Sequence, residues 1–282
     1  MKENADARPR FAQVPEAKAQ GRVREIYDDF RSCLGAPMVN LIYRHMATEP
    51  GCLEWGWATL RPMFVSDAIP AAARSLLASG AVPRPERAIP RDALRAEGVD
   101  AAAEAAATAV LDAYNHANPM NVIALEVLRQ ALHDDTHGRG DPPATGAAAA
   151  PRVAPVLPPM IDPAATDHAT AALLRRLARQ GNGQDEGVVP SAYLHLVPWP
   201  ALLRLIEKTT QTLIDREDVD AASAAVAARA ATLASGLRRP AIGLPPPSGA
   251  AAECIARLNA FFPKALSRMI VIGGWLRRSL PA

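Results

Sequence analysis

The twelve residues 39–50, VNLIYRHMATEP, recur without a gap as residues 189–200, VPSAYLHLVPWP. Val39 pairs with Val189, Tyr43 with Tyr193, His45 with His195 and Pro50 with Pro200; Leu53 matches Leu203 just beyond, and Met46 against Leu196 is conservative. A constant offset over so many positions constrains the fold, because each half must then build a similar unit. The ends of the halves agree too. LDAYNHANPMNVIALEVLRQAL (111–132) resembles ARLNAFFPKALSRMIVIGGWLRRSL (256–280), each a helix, a proline step and an apolar helix ending in Leu. Such a long period fits duplication of a small domain and not a solenoid. The expected architecture is therefore all-α: two similar helical repeats, residues 20–133 and 166–281, forming an intramolecular pseudo-dimer about a pseudo-two-fold axis.

Local patterns agree with helix almost throughout. Val23, Ile26, Tyr27, Phe30 and Leu34 form one helical stripe. Residues 38–48 read as a short apolar helix, and Pro50 opens a helix carrying Leu53, Trp57 and Leu60. An Ala-rich helix follows Ser66-Asp67, and 99–118 is a strong helix that Pro119 is expected to end, starting its successor through Leu132. The second half predicts helices over 166–179, 191–198, 200–215, 218–236, 249–261 and 263–280. Aromatics are only 5% and Ala dominates many windows, which favours helix over strand. Residues 134–165 are rich in Pro, Gly and Ala without a helical period and read as a linker between the repeats.

A net charge of +2, mixed along the chain, argues against nucleic-acid binding, which needs a concentrated basic face. No window approaches about 18 unbroken apolar residues, so no membrane span is expected. Cys33, Cys52 and Cys254 form no C-x-x-C pair and no metal spacing; the expectation is a cytoplasmic protein without metal or cofactor. HDDTH (133–137) mimics a metal cluster but reads as a solvated helix end. RQGNGQDEGVV (179–189) has no strand before it and is not a phosphate loop; Asp185 and Glu186 read as exposed loop carboxylates.

In a pseudo-dimer the two Tyr-x-His copies can face one cleft. Tyr43, His45, Tyr193 and His195 would then hold a small anion. Equally, both Tyr residues suit a core with a satisfied hydroxyl, and both His residues suit a bond to neighbouring backbone. Asn118 offers a carboxamide to orient a water or a substrate, or simply ends a helix before Pro119.

Three stretches carry a family resemblance: IYDDFRSCLGAPMVNLIYRHMATEPGCLEWGW near the start, YNHANPMN in the middle and VPSAYLHLVPWPALL in the second half. Over most of residues 20–280 their order resembles the group I 2-haloacid dehalogenases, which act on both enantiomers, within a broader alkylhydroperoxidase-D-like all-α superfamily. The resemblance implies an Asp of the second repeat activating water, which displaces halide from the α-carbon without an ester intermediate. It implies an Asn of the first repeat holding that water, with apolar and aromatic side chains around the halide. Asn118 matches the Asn and Ser191 the Ser before the catalytic Asp. Ala192 occupies the Asp position, with Tyr193 there if the alignment shifts by one. Met38 and Leu41 fall on aromatic positions of the pocket, and Asn121 on a tyrosine. His195, one helical turn beyond Ala192, is the candidate replacement base.

Two functions follow as expectations. One is hydrolysis of the carbon–halogen bond of small 2-haloalkanoic acids, with Asn118 and His195 as catalytic residues. Ser191, Tyr193, Tyr43, His45, Met38, Leu41 and Asn121 would then contact substrate. The other is a pseudo-dimer that binds a small carboxylate-like metabolite without dehalogenation. Whether copies of the chain form a homo-oligomer is open.

Overall fold

The computed structural model describes residues 11–133, 156–183, 187–240 and 242–281. Among these there are helices and no strands. After a single 3-10 turn at Glu16–Lys18 come α1 (Gly21–Leu34), α2 (Leu41–Met46), α3 (Cys52–Val65), α4 (Ala68–Ala78), α5 (Arg91–Ala96) and α6 (Ala101–His133). A second short turn at Pro163–Ala165 leads to α7 (His168–Asn182), α8 (Ser191–Leu194), α9 (Pro200–Arg216), α10 (Val219–Ser235) and α11 (Gly249–Ser279).

Helix ends follow local chemistry. α1 buries Ile26, Tyr27, Phe30 and Leu34 and stops at Gly35, whose φ of 61° suits a residue without a Cβ. Asp167 caps α7 by accepting from the Thr170 N–H at 2.8 Å, and Asp218 caps α10 from Ala221 at 2.8 Å. Pro200 begins α9, where a missing N–H costs nothing.

The expected proline steps do not split the long helices. α6 runs through Pro119 and α11 through Pro263. An interior proline forfeits one backbone hydrogen bond and crowds the preceding turn, costing about 3 kcal/mol. Burial offsets it: Ala117, Asn118, Pro119, Met120, Asn121 and Val122 are all buried. α6 and α11 pack along one another at the centre of the molecule, with α10 against both and α4 against α6 and α10. Asn115 of α6 donates to the Gly273 carbonyl of α11 at 3.0 Å, a contact that requires the bare glycine backbone. Asn118 therefore sits inside a helix, and its reading as a helix terminator is overturned.

The duplicated signature recurs as duplicated bonding. His45 Nδ1 donates to the Ala12 carbonyl at 2.6 Å, and His195 Nδ1 donates to the Pro158 carbonyl. The Val14 N–H donates to the Arg44 carbonyl at 2.9 Å, and the Ile161 N–H to that of Leu194 at 3.0 Å. In each half, an extended segment is thus pinned to the short Tyr-x-His helix. Among the described residues no helix is long and apolar enough to cross a membrane. Nor does any group of three or more His, Cys, Asp or Glu there form a metal site.

Candidate active site

A cavity of about 60 Å³ lies between α2 and α6 on one side and the ends of α7, α8 and α11 on the other. One water needs about 10–15 Å³ by this measure, so there is room for a few heavy atoms and none for a nucleotide or peptide. One wall is Asn40, Leu41 and Ile42 at the start of α2, with Tyr114 and Asn118 from α6. The other is Asn182 at the end of α7, residues 188–192, and Phe261, Phe262, Ala265, Leu266 and Met269 of α11.

Each wall is fixed by bonds outside the cavity. Arg44, almost wholly buried, donates from Nη1 to the Val39 carbonyl at 2.7 Å and from Nε to Gln13 at 2.8 Å. Glu16 accepts from the Val39 N–H at 2.9 Å. These contacts set the backbone that leads into Asn40 and Leu41. Asn182 donates to the Val188 carbonyl, holding the approach to Pro190 and Ser191. Tyr114 and Asn118 are one turn apart on α6 and share a face.

The lining is mostly apolar with a few polar groups, the usual composition of a small-molecule site. Three carboxamides face it, from Asn40, Asn118 and Asn182. Asn40 Oδ1 is buried without a hydrogen-bond partner. Burial first, against the pull of Arg44 and Ser191, drives the Tyr114 phenol well above the ordinary range, so it stays neutral. Among the described residues the lining carries no carboxylate, because Ala192 presents a methyl group where the dehalogenase resemblance implies Asp. Asp185 and Glu186 lie outside the described residues.

Of the residues singled out in the sequence, Asn118, Ser191 and Leu41 converge on this cavity, with Ala192 beside them. The others lie elsewhere. Tyr43 donates to Asn121 Oδ1 at 3.2 Å, and both are buried in the core. Tyr193 is buried, with its hydroxyl 3.9 Å from Met269 Sδ. His45 faces Ala12 and the edge of Phe11, with ring centroids 5.1 Å apart. Met38 and His195 line a separate open groove with Glu16, Arg31, Pro158 and Met160. His195 touches the cavity indirectly, through the Tyr114 ring at 5.8 Å. Burial lowers the His195 pKa, partly opposed by the Pro158 carbonyl and aided by Arg44, so the ring is neutral at pH 7.

Sequence reasoning passed over Asn40, Tyr114, Asn182 and the Phe261–Phe262 pair. Two of these carried a signal. Tyr114 is one helical turn before Asn118, and Phe262 stands just before Pro263 as Asn118 stands before Pro119.

No family model matches the chain. It is 26% identical over 210 residues to a configuration-inverting 2-haloacid dehalogenase of Pseudomonas sp. (strain 113), spanning 71% of this chain and 66% of that enzyme. To a configuration-inverting 2-haloacid dehalogenase of Alcaligenes xylosoxydans xylosoxydans it is 26% identical over 241 residues, spanning 80% and 77%. An (R)-2-haloacid dehalogenase of Pseudomonas putida is 35% identical over 88 residues, 29% of each chain. The fold matches a D-2-haloacid dehalogenase mutant in complex with D-2-CPA, with a TM-score of 0.73 at 20% identity over 96% of both chains. It also matches a D-2-haloacid dehalogenase in complex with L-LA, with a TM-score of 0.73 at 20% identity over 95% of this chain and 96% of that one. In sequence the chain is similar to 2-haloacid dehalogenases, and it shares the all-α fold of the solved ones.

Proposed function

We propose that the chain binds a small 2-haloalkanoic acid in the cavity and hydrolyses its carbon–halogen bond with water held by Asn118. The observation that carries this reading is the convergence of Asn118, Ser191 and Ala192 on one cavity. Those three positions match the family's water-holding Asn, its Ser and its catalytic Asp. Water attacks the α-carbon, the new C–O bond forms as the C–X bond breaks, halide leaves, and the proton passes to solvent. Phe261, Phe262, Leu266 and Met269 give the halogen an apolar surround. Among the described residues no carboxylate lies beside the water, and without one the reaction is slow, because a positioned base contributes about 10²–10⁴ in rate.

Supporting the pseudo-dimer reading are the twin hydrogen bonds of His45 and His195 and the contribution of both halves to the cavity. In this reading the His residues hold backbone, and the cleft between repeats is the site. The three free thiols accord with a reducing, cytoplasmic setting.

Halide release from each enantiomer of 2-chloropropionate, measured at high enzyme concentration, tests the hydrolysis. Release that is lost in Asn118→Ala supports it; no release from either enantiomer removes it. The methyl of Ala192 favours a second reading, a binder of small acids without turnover. Thermal stabilisation by 2-chloropropionate without halide release would select that reading.

A further inference from the structure

Asn40 stands immediately before α2, a place where an asparagine ordinarily folds its carboxamide back onto the first N–H groups of the helix. Here the side chain makes no capping bond. It lines the cavity instead, 7% exposed, with its Oδ1 buried and without a hydrogen-bond partner. The backbone beside it is held by other groups, since Glu16 accepts from the Val39 N–H and Arg44 donates to the Val39 carbonyl. In the second half Pro190 takes the equivalent place, before α8 and on the same cavity, and brings no polar side chain. The Asn40 carboxamide is therefore needed neither by its own helix nor by the repeated pattern.

A buried acceptor without a donor is costly, so whatever fills the cavity has reason to supply one. A 2-haloalkanoate does not: its carboxylate and halogen only accept, and its other hydrogens are bound to carbon. The attacking water does, and so does the hydroxyl of the 2-hydroxy acid that the water becomes.

We infer that Asn40 Oδ1 accepts the O–H of the α-oxygen, first in the attacking water and then in the 2-hydroxy acid product. This role rests on the hydrolytic reading of the cavity and adds a second residue to the water that Asn118 holds. Asn40 orients the water and is not a base, because a carboxamide oxygen takes no proton near neutral pH. Of the two water protons, the one bonded to Asn40 stays on oxygen throughout. The C–O bond forms, the C–X bond breaks, halide leaves, and the other proton passes to solvent. Fixing one O–H turns a lone pair of the water toward the α-carbon, which is a gain in orientation and not in basicity. The same bond then retains the product, so the cavity recognises 2-hydroxy acids as well as 2-halo acids.

Lactate and 2-fluoropropionate test this, because they have nearly the same shape and charge and only the hydroxyl donates. Isothermal titration of the full chain with each enantiomer should show one lactate enantiomer binding about 3–10-fold more tightly than its fluoro counterpart. In Asn40→Leu that preference should vanish while the affinity for 2-fluoropropionate changes little. The same variant should lower kcat for halide release from 2-chloropropionate and leave KM nearly unchanged, because the haloacid itself gives Asn40 nothing to accept. Equal affinities for lactate and 2-fluoropropionate in the unaltered protein would overturn this role, and that comparison needs no variant to fold. A preference that survives Asn40→Leu, or an equal loss of both ligands in it, would overturn it too. Failure of both ligands to bind the unaltered protein would remove the cavity reading and this role with it. A lactate preference that Asn40→Leu abolishes, in a protein that releases no halide, would remove the hydrolysis alone and keep Asn40 as the hydroxyl acceptor.

Discussion

Ala192→Asp puts a carboxyl at a position that is only 2% exposed, facing a largely apolar cavity. Buried carboxyl groups lose hydration when ionised, and shifts reach several pH units at fully enclosed sites. Here Asn118, Tyr114 and Ser191 can donate to the new group and limit the effect, so an upward shift of about two units from the unfolded value near 3.9 is a fair scale. At about 1.36 kcal/mol per unit, the ionised variant loses about 3 kcal/mol relative to its protonated form. The sign follows from proton binding. Below pH ~4 the carboxyl is protonated in both states and the cost is absent. As pH rises toward ~6 the native state keeps a proton that the unfolded state has released, so stability falls, and above that the loss is complete. In a chain of this size, about 3 kcal/mol corresponds to a melting temperature roughly 5 °C lower. Melting curves of the variant and the unaltered protein from pH 4 to 8 measure the gap between them. It should open with rising pH while halide release from 2-chloropropionate rises by about 10²–10⁴ at pH 7. A gap that stays constant with pH would mean that the new carboxyl meets bulk water, and the burial of position 192 would be refuted.

Other perturbations separate scaffold from site. His195→Ala removes the bond that holds the Pro158 carbonyl and should lower stability by about 1–3 kcal/mol while sparing halide release. Complete loss of release from a folded His195→Ala protein would make His195 the base instead. Gly273→Ala drives a Cβ into Asn115 Oδ1 and disrupts the bond between α6 and α11. Overpacking of about 1–3 kcal/mol should exceed the ~1 kcal/mol that Ala gains in helix propensity, so chemical denaturation should show a lower midpoint. A higher midpoint would show that the helices can separate without cost.

The helical character was legible because the stripes of Ile26, Tyr27, Phe30 and Leu34, and the Ala-rich windows, obey one period. The continuity of α6 and α11 was not, since a proline announces its own cost while its repayment by buried neighbours depends on the tertiary fold. Asn118, Ser191 and Leu41 could be read from the resemblance, because each stands in a recognisable local motif. Asn40 and Asn182 could not, since their place in the cavity comes from packing between halves. The repeated Tyr-x-His pattern was the strongest signal in the chain, yet it marks repeated bonding of His45 and His195 to backbone carbonyls and not a shared cavity wall. The bond from Cys52 to the Ala251 carbonyl left no trace in sequence spacing, because only the approach of α3 to α11 creates it.

The central claim is that a small halogenated acid enters the cavity between α2, α6, α8 and α11. Crystals of the protein soaked with 2-bromopropionate, measured at the bromine absorption edge, test it directly. The account predicts one anomalous peak inside the cavity, within contact distance of Phe262 and Leu266 and beside Asn118. A peak confined to the open groove by His195, or an empty cavity at saturating ligand, would contradict it.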